Sequence, residues 1–152
     1  MKRAVLYTDG ASLGNPGPAG IGVVLVDETG DNAIKLAEPI GYATNNEAEY
    51  RAFIRGLELA VQHGVEHLTW YADSELLVRQ WRGEYRVRQP HLAQLMTQAR
   101  ALAQKIPHIE AYHTLRTGNS IADVLSKQGA KLARQSTAPR KRGRNGSKKK
   151  SG

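Results

Sequence analysis

Tyr7 to Gly20 reads YTDGASLGNPGPAG, and the reading of this stretch decides the fold. Val5, Tyr7 and Asp9 alternate with Leu6 and Thr8, the period-2 pattern of a half-buried strand. A lone acid, Asp9, is expected where that strand stops and a turn begins. Gly14-Asn15-Pro16-Gly17-Pro18 supplies the turn, because glycine reaches positive φ and proline fixes φ while removing a donor. Ile21 to Val26 resumes as a second strand, so the unit is predicted to be a hairpin with an elaborate loop. On this stretch alone, Asp9 reads equally as a turn-forming aspartate or as an acid presented at a strand end.

Outward from the hairpin, a third strand is expected over Ala33 to Tyr42, completing an antiparallel meander. Thr44 with Glu47 three positions later is a capping-box signature, and the helix it opens should run to Gln62 or His63, with Gly64 stopping it. Ala52, Phe53, Gly56 and Ala60 share a face with Glu49, so that carboxylate heads the small apolar stripe and aims at the sheet. Glu47 lies roughly 200° around the axis and reads as a cap. A fourth strand, His67 to Asp73, again ends in an aspartate and is followed by Ser74 and a short helix. Residues 81–88 form a basic connector with interleaved aromatics, and Pro90 suits the first turn of a helix over His91 to Lys105. A fifth strand, Ile109 to Leu115, and a last helix, Gly118 to Arg134, complete the pattern βββαβααβα. The helical crossover into strand four favours its lying parallel to strand one, which would put Asp9 and Asp73 on adjacent strands.

The 152 residues suffice for one domain with a real core, and no apolar run is long enough for a membrane span. The amino terminus enters a strand at once, without signal-peptide architecture. The absence of cysteine excludes disulfides and thiolate metal sites and fits a reducing compartment, so a cytoplasmic protein is expected. Of the net charge of +8, seven Lys/Arg without a balancing acid fall in residues 136–152, leaving 1–135 at about +1. A nearly neutral domain, 1–135, with a disordered basic tail, 136–152, is the expected organisation. Such a tail suits a nucleic-acid tether, a solubilising segment being the plainer reading.

Asp9, Glu49, Asp73 and Asp123 would then converge with few bases nearby, unless they are unrelated surface acids. Like charges held close require a shared proton or divalent cations. His63, His67, His91, His108 and His113 show no paired ligand spacing. All-oxygen ligation suits Mg²⁺ or Mn²⁺, and two such ions about 3.5–4 Å apart would clamp the attacking and leaving oxygens of a phosphodiester.

YTDGASLGNPGPAG, TNNEAEYRA, ADSELLVRQWRGEY and RTGNSIAD together resemble the four motif regions of ribonuclease H type 1, in that family's order and spacing, across residues 5 to about 130. The resemblance implies an α/β, RNase H-like fold: a five-stranded mixed sheet, three antiparallel strands then parallel ones, with helices on both faces. It implies a metal-dependent endonuclease that cuts the RNA strand of an RNA–DNA hybrid, leaves 5′-phosphate and 3′-hydroxyl ends, and uses two Mg²⁺ or Mn²⁺ ions per site with substrate. The metal-binding carboxylates map to Asp9, Glu49, Asp73 and Asp123. Asn15, Asn45 and Asn46 match contacts to the minor groove and sugars, where amides read 2′-hydroxyls. Thr44 matches a residue near a DNA-phosphate pocket, and Ser74, beside Asp73, joins the substrate-contacting set. Arg116 would approach the scissile phosphate or else pair with an acid or the backbone.

Two departures from the bacterial pattern resemble the compact, archaeal-like branch, some members of which also accept RNA–RNA duplexes. The 81–90 connector lacks a long basic protrusion, and the segment before Asp123 is short and without histidine. His113 is expected to be structural, within a strand. A monomer without membrane association is expected. The rival readings are a binding domain that has lost its chemistry and another nuclease on the same fold. A D-x-E pattern on strand one would mark an exonuclease, whereas Asp9 is followed by Gly10-Ala11.

Overall fold

The computed structural model describes residues 1–137. Three strands come first, β1 (Arg3–Ser12), β2 (Gly17–Asp27) and β3 (Ala33–Ala43), followed by helix α1 (Asn45–Gln62). Strand β4 (His67–Ala72), helices α2 (Glu75–Trp81) and α3 (Pro90–Ala103), strand β5 (His108–His113), a 3₁₀ turn (Arg116–Asn119) and helix α4 (Ser120–Thr137) complete it. The strand order is β3-β2-β1-β4-β5. β1, β2 and β3 pair antiparallel, while β4 joins β1 and β5 joins β4 in parallel. The expected mixed sheet is therefore present, with β4 directly beside β1. α4 extends two residues into the stretch assigned to the basic tail, and 138–152 lie outside the described residues.

One face of the sheet carries the main core. Leu6, Val23, Leu25, Leu68 and Trp70 meet Tyr50, Phe53 and Leu57 of α1 and Leu92, Leu95 and Met96 of α3. Phe53 stacks on Trp70 with ring centroids 3.6 Å apart, and Trp81 packs edge-on against it at 5.0 Å. Trp70 is fully buried and donates its indole N–H to Thr8 Oγ1 at 2.8 Å, which satisfies both polar atoms. Gln80, also buried, accepts from the Tyr50 hydroxyl and donates to the Arg86 carbonyl at 3.3 Å, pinning the connector after α2 to the core.

The other face is closed by α4 at backbone distance. A Cβ placed on Gly22 would lie 2.1 Å from the Ala122 carbonyl oxygen, and one on Gly20 would lie 2.0 Å from the Ala130 nitrogen. On the opposite face, a Cβ on Gly10 would lie 2.2 Å from the Ala48 carbonyl carbon of α1. Gly22 is the register partner of Asp9, so strand glycines let both helices close in around that acid.

The first hairpin differs from the expectation. β1 continues to Ser12 and β2 starts at Gly17, so Asp9 lies inside a paired strand and the loop is only 13–16. Gly10, Ala11, Ala19 and Gly20 have little strand propensity of their own. Gly10, Ala19 and Gly20 are strand residues because helices on the two faces demand small side chains there, and Ala11 follows as the ladder partner of Gly20. β4 ends at Ala72, one residue before Asp73, and β5 spans His108–His113 rather than 109–115.

Candidate active site

Asp9, within β1, and Asp73, just past the end of β4, come together with Glu49 from the start of α1. Each offers a carboxylate oxygen, and these oxygens all lie within 4.8 Å of one another. Glu49 reaches the site because the phase of α1 turns it to the sheet, where its Oε1 accepts from the Gly10 N–H at 3.1 Å. Asp9 is buried, its Oδ2 accepting from Ser126 Oγ at 2.8 Å. Asp73 sits immediately after β4, held by the parallel pairing of β4 with β1.

Asp123 stands apart from this tight group. It lies in the first turn of α4, and its Oδ2 is 3.2 Å from Lys127 Nζ. Its charge still reaches Asp9. Burial first, then the Asp73 and Asp123 charges, push the Asp9 carboxyl up to about 7 against the pull of the Ser126 hydrogen bond. Burial, followed by repulsion from Asp9 and Asp73, raises Glu49 well above the ordinary carboxylate range. The cluster is thus frustrated without a counter-charge. A hard divalent cation relieves that strain, and an all-carboxylate donor set fits one.

Asn15 and Asn45 interlock at the rim. Ser12 N–H donates to Asn45 Oδ1 and Asn45 N–H donates to Asn15 Oδ1, both at 2.9 Å. Asn15 has φ 42°, a left-handed conformation that asparagine tolerates. The two Oδ1 atoms thus fasten the end of β1 and the 13–16 loop to the start of α1, which leaves the amide Nδ2 donors for a ligand. Thr44 caps α1 through Glu47 N–H at 3.1 Å, and Glu47 returns the bond to Thr44 N–H at 3.2 Å. Ser74 caps α2, accepting from Leu77 N–H at 3.2 Å.

A cavity of about 300 Å³ lies against the acids, lined by Asn45, Asn46, Glu49, Asp73, Ser74, His113 and Arg116. Arg116 is largely exposed with its Nε 3.8 Å from Asp73 Oδ2, so of the alternatives open to it the structure shows the acid partner. His113 departs from the expected structural role. It is exposed at the end of β5, an edge strand, and faces this cavity rather than the core.

Three contacts escaped the sequence reading. His91 Nε2 lies 2.6 Å from Glu47 Oε2, joining α3 to the α1 cap. Burial pushes Glu47 up, but the Thr44 N–H and His91 outweigh it and hold the carboxyl below its ordinary value. Asn119, buried, donates to the Thr8 carbonyl at 2.9 Å. Ser126, fully buried, reaches Asp9. The sequence held a partial signal, since Ser126 is a lone hydroxyl among the buried small residues Ala122, Gly129, Ala130 and Ala133 of α4.

The family model described as "Reverse transcriptase-like" matches residues 7–129. The chain is 42% identical over 139 residues to the bifunctional protein Rv2228c of Mycobacterium tuberculosis, covering 90% of this chain but 38% of that protein. It is 38% identical over 126 residues to a ribonuclease HI of Halobacterium salinarum, covering 83% of this chain and 63% of that one. The chain therefore spans about two fifths of the length of the mycobacterial relative and somewhat under two thirds of the archaeal one. Among solved structures, RNase H1 of Halobacterium salinarum superposes with a TM-score of 0.82 at 37% identity, covering 86% of this chain and 98% of that one. LC11-RNase H1 in complex with an RNA/DNA hybrid gives 0.77 at 37% identity, covering 86% and 98%.

Proposed function

Since the chain belongs to the ribonuclease H type 1 family, we propose that it hydrolyses the RNA strand of RNA–DNA hybrids in a reaction that needs divalent metal. The observation that carries this reading is the group of three carboxylates, drawn from β1, α1 and the end of β4, whose oxygens lie within 4.8 Å. Asp9, Glu49 and Asp73 would hold the metal, with Asp123 completing the set from α4. When bound, two Mg²⁺ or Mn²⁺ ions would activate the attacking water and neutralise the departing oxygen, giving 5′-phosphate and 3′-hydroxyl ends.

The chain's own residues supply placement. The amides of Asn15, Asn45 and Asn46 offer donors to 2′-hydroxyls and base edges at the rim of the acidic site, which is where RNA is told from DNA. Thr44 and Ser74, which cap α1 and α2, would in addition meet phosphates of the bound hybrid. Arg116, held near Asp73, is a cation that can swing to the scissile phosphate as substrate displaces it. A monomer in the cytoplasm is part of the same proposal, and RNA–RNA duplex is its second candidate substrate.

The test is cleavage of end-labelled RNA–DNA hybrid, RNA–RNA and DNA–DNA duplexes with Mg²⁺, Mn²⁺ or EDTA. Cutting confined to the RNA strand of the hybrid, abolished by EDTA, is expected. Hybrid binding that persists in EDTA with no cutting in either metal would instead identify a binding module.

A further inference from the structure

Ser126 makes two contacts with one hydroxyl. Its Oγ lies 2.8 Å from Asp9 Oδ2 and 2.7 Å from the backbone carbonyl oxygen of Asp123, three residues earlier on α4. A hydroxyl has one proton to donate, and a carboxylate oxygen is a stronger acceptor than a backbone carbonyl. The bond to Asp9 therefore joins an acid on β1 to the very turn of helix that carries the fourth acid. We propose that Ser126 is a positioning residue of the metal site, fixing the orientation of the Asp9 carboxylate and its spacing from Asp123.

The alternative is that the serine merely fills space or anchors α4. The helix is anchored without it. Asn119 ties the preceding turn to the Thr8 carbonyl, and Gly20 and Gly22 bring the strand backbone against Ala130 and Ala122. The face around Ser126 is alanine at 122, 130 and 133, so packing alone would be met by a methyl group. What alanine lacks is a donor beside a carboxylate that is 4% exposed and repelled by its neighbours. Supports of this kind hold a ligating oxygen in place, and their loss typically lowers metal affinity or activity by about 10–100-fold.

The inference rests on the reading of these acids as a metal centre, and its test separates the two. Mg²⁺ affinity would be measured by calorimetry on the substrate-free chain for the parent, Ser126→Ala and Ser126→Cys, the last keeping volume with only a weak donor. Thermal melts in EDTA would run alongside. Both variants should melt within a few degrees of the parent yet bind Mg²⁺ about 10-fold more weakly. With hybrid, kcat should fall while KM stays. Affinity within twofold of the parent in Ser126→Ala, or full affinity in Ser126→Cys, would reduce the residue to packing and overturn the proposal. A parent that bound no Mg²⁺ would overturn it as well. A parent that binds Mg²⁺ more tightly than its variants but cuts no hybrid would sustain the positioning role and sink the ribonuclease reading.

Discussion

Two residues of helix carry a side chain about 200° around the axis, which sends the Glu49 carboxylate to the Gly10 N–H and the Glu47 carboxylate to the Thr44 N–H and His91. Glu49→Gln should therefore abolish hybrid cleavage. Glu47→Gln should leave it within a few-fold of the parent, since glutamine still serves in a capping box and the exposed His91 pair contributes under about 1 kcal/mol. The reverse pattern in a single-turnover assay would overturn the assignment. Asp9 supplies a second test, through pH. Its carboxyl titrates near 3.8 unfolded and about 7 folded, so between those values the folded chain binds the extra proton. The Asp9 contribution to metal-free stability should be full below about pH 4 and be lost as pH rises through about 7, by on the order of 4 kcal/mol. Asp9→Asn should flatten that dependence in urea melts, raise stability at neutral pH and remove cleavage. This much of the site was legible because helix phase and motif spacing both bear on acids. His113 and Asn119 were not, and Ser126 showed only as a lone hydroxyl among small residues without its partner, because what they touch is set by β5 ending at an edge and by where α4 lands. Neither is written in local pattern.

At the scale of elements, alternation and capping placed nearly every strand and helix, and the parallel seating of β4 against β1 followed from its helical crossover. Boundaries failed where small residues carried the strand. Ala11 and Ala19 belong to β1 and β2 because the ladder pairs them with Gly20 and Ser12 and because Ala19 packs on Ala48 of α1, which no propensity scale records. The core contact that links α1, β4 and α2 is Phe53, stacked on Trp70 and edge-on to Trp81. Phe53→Ala should cost about 3–5 kcal/mol in urea unfolding, the range for a buried aromatic, as nothing on three rigid elements can collapse into the space. A loss under about 1 kcal/mol would mean that the indoles rearrange freely.

For the whole molecule, charge is the property that elements do not show. The seven Lys/Arg between Arg140 and Lys150 hold most of the net charge of +8. Ending the chain after Thr137 removes them without touching α4 or any site residue. Hybrid binding should weaken at low salt, with the dependence of log K on log salt flattened by a few units at most, and the saturated cleavage rate should hold. Equal affinities at low ionic strength would make those cations bystanders. The backbone contact between α4 and the sheet carries a different implication, for heredity. Every missense codon one base from a glycine codon adds a Cβ, and at Gly22 any Cβ meets the turn that bears Asp123. A mutational scan selected on nuclease activity would rank this position beside its ladder partner Asp9. A map of tolerance would thus mark as catalytic a residue that brings no functional group at all.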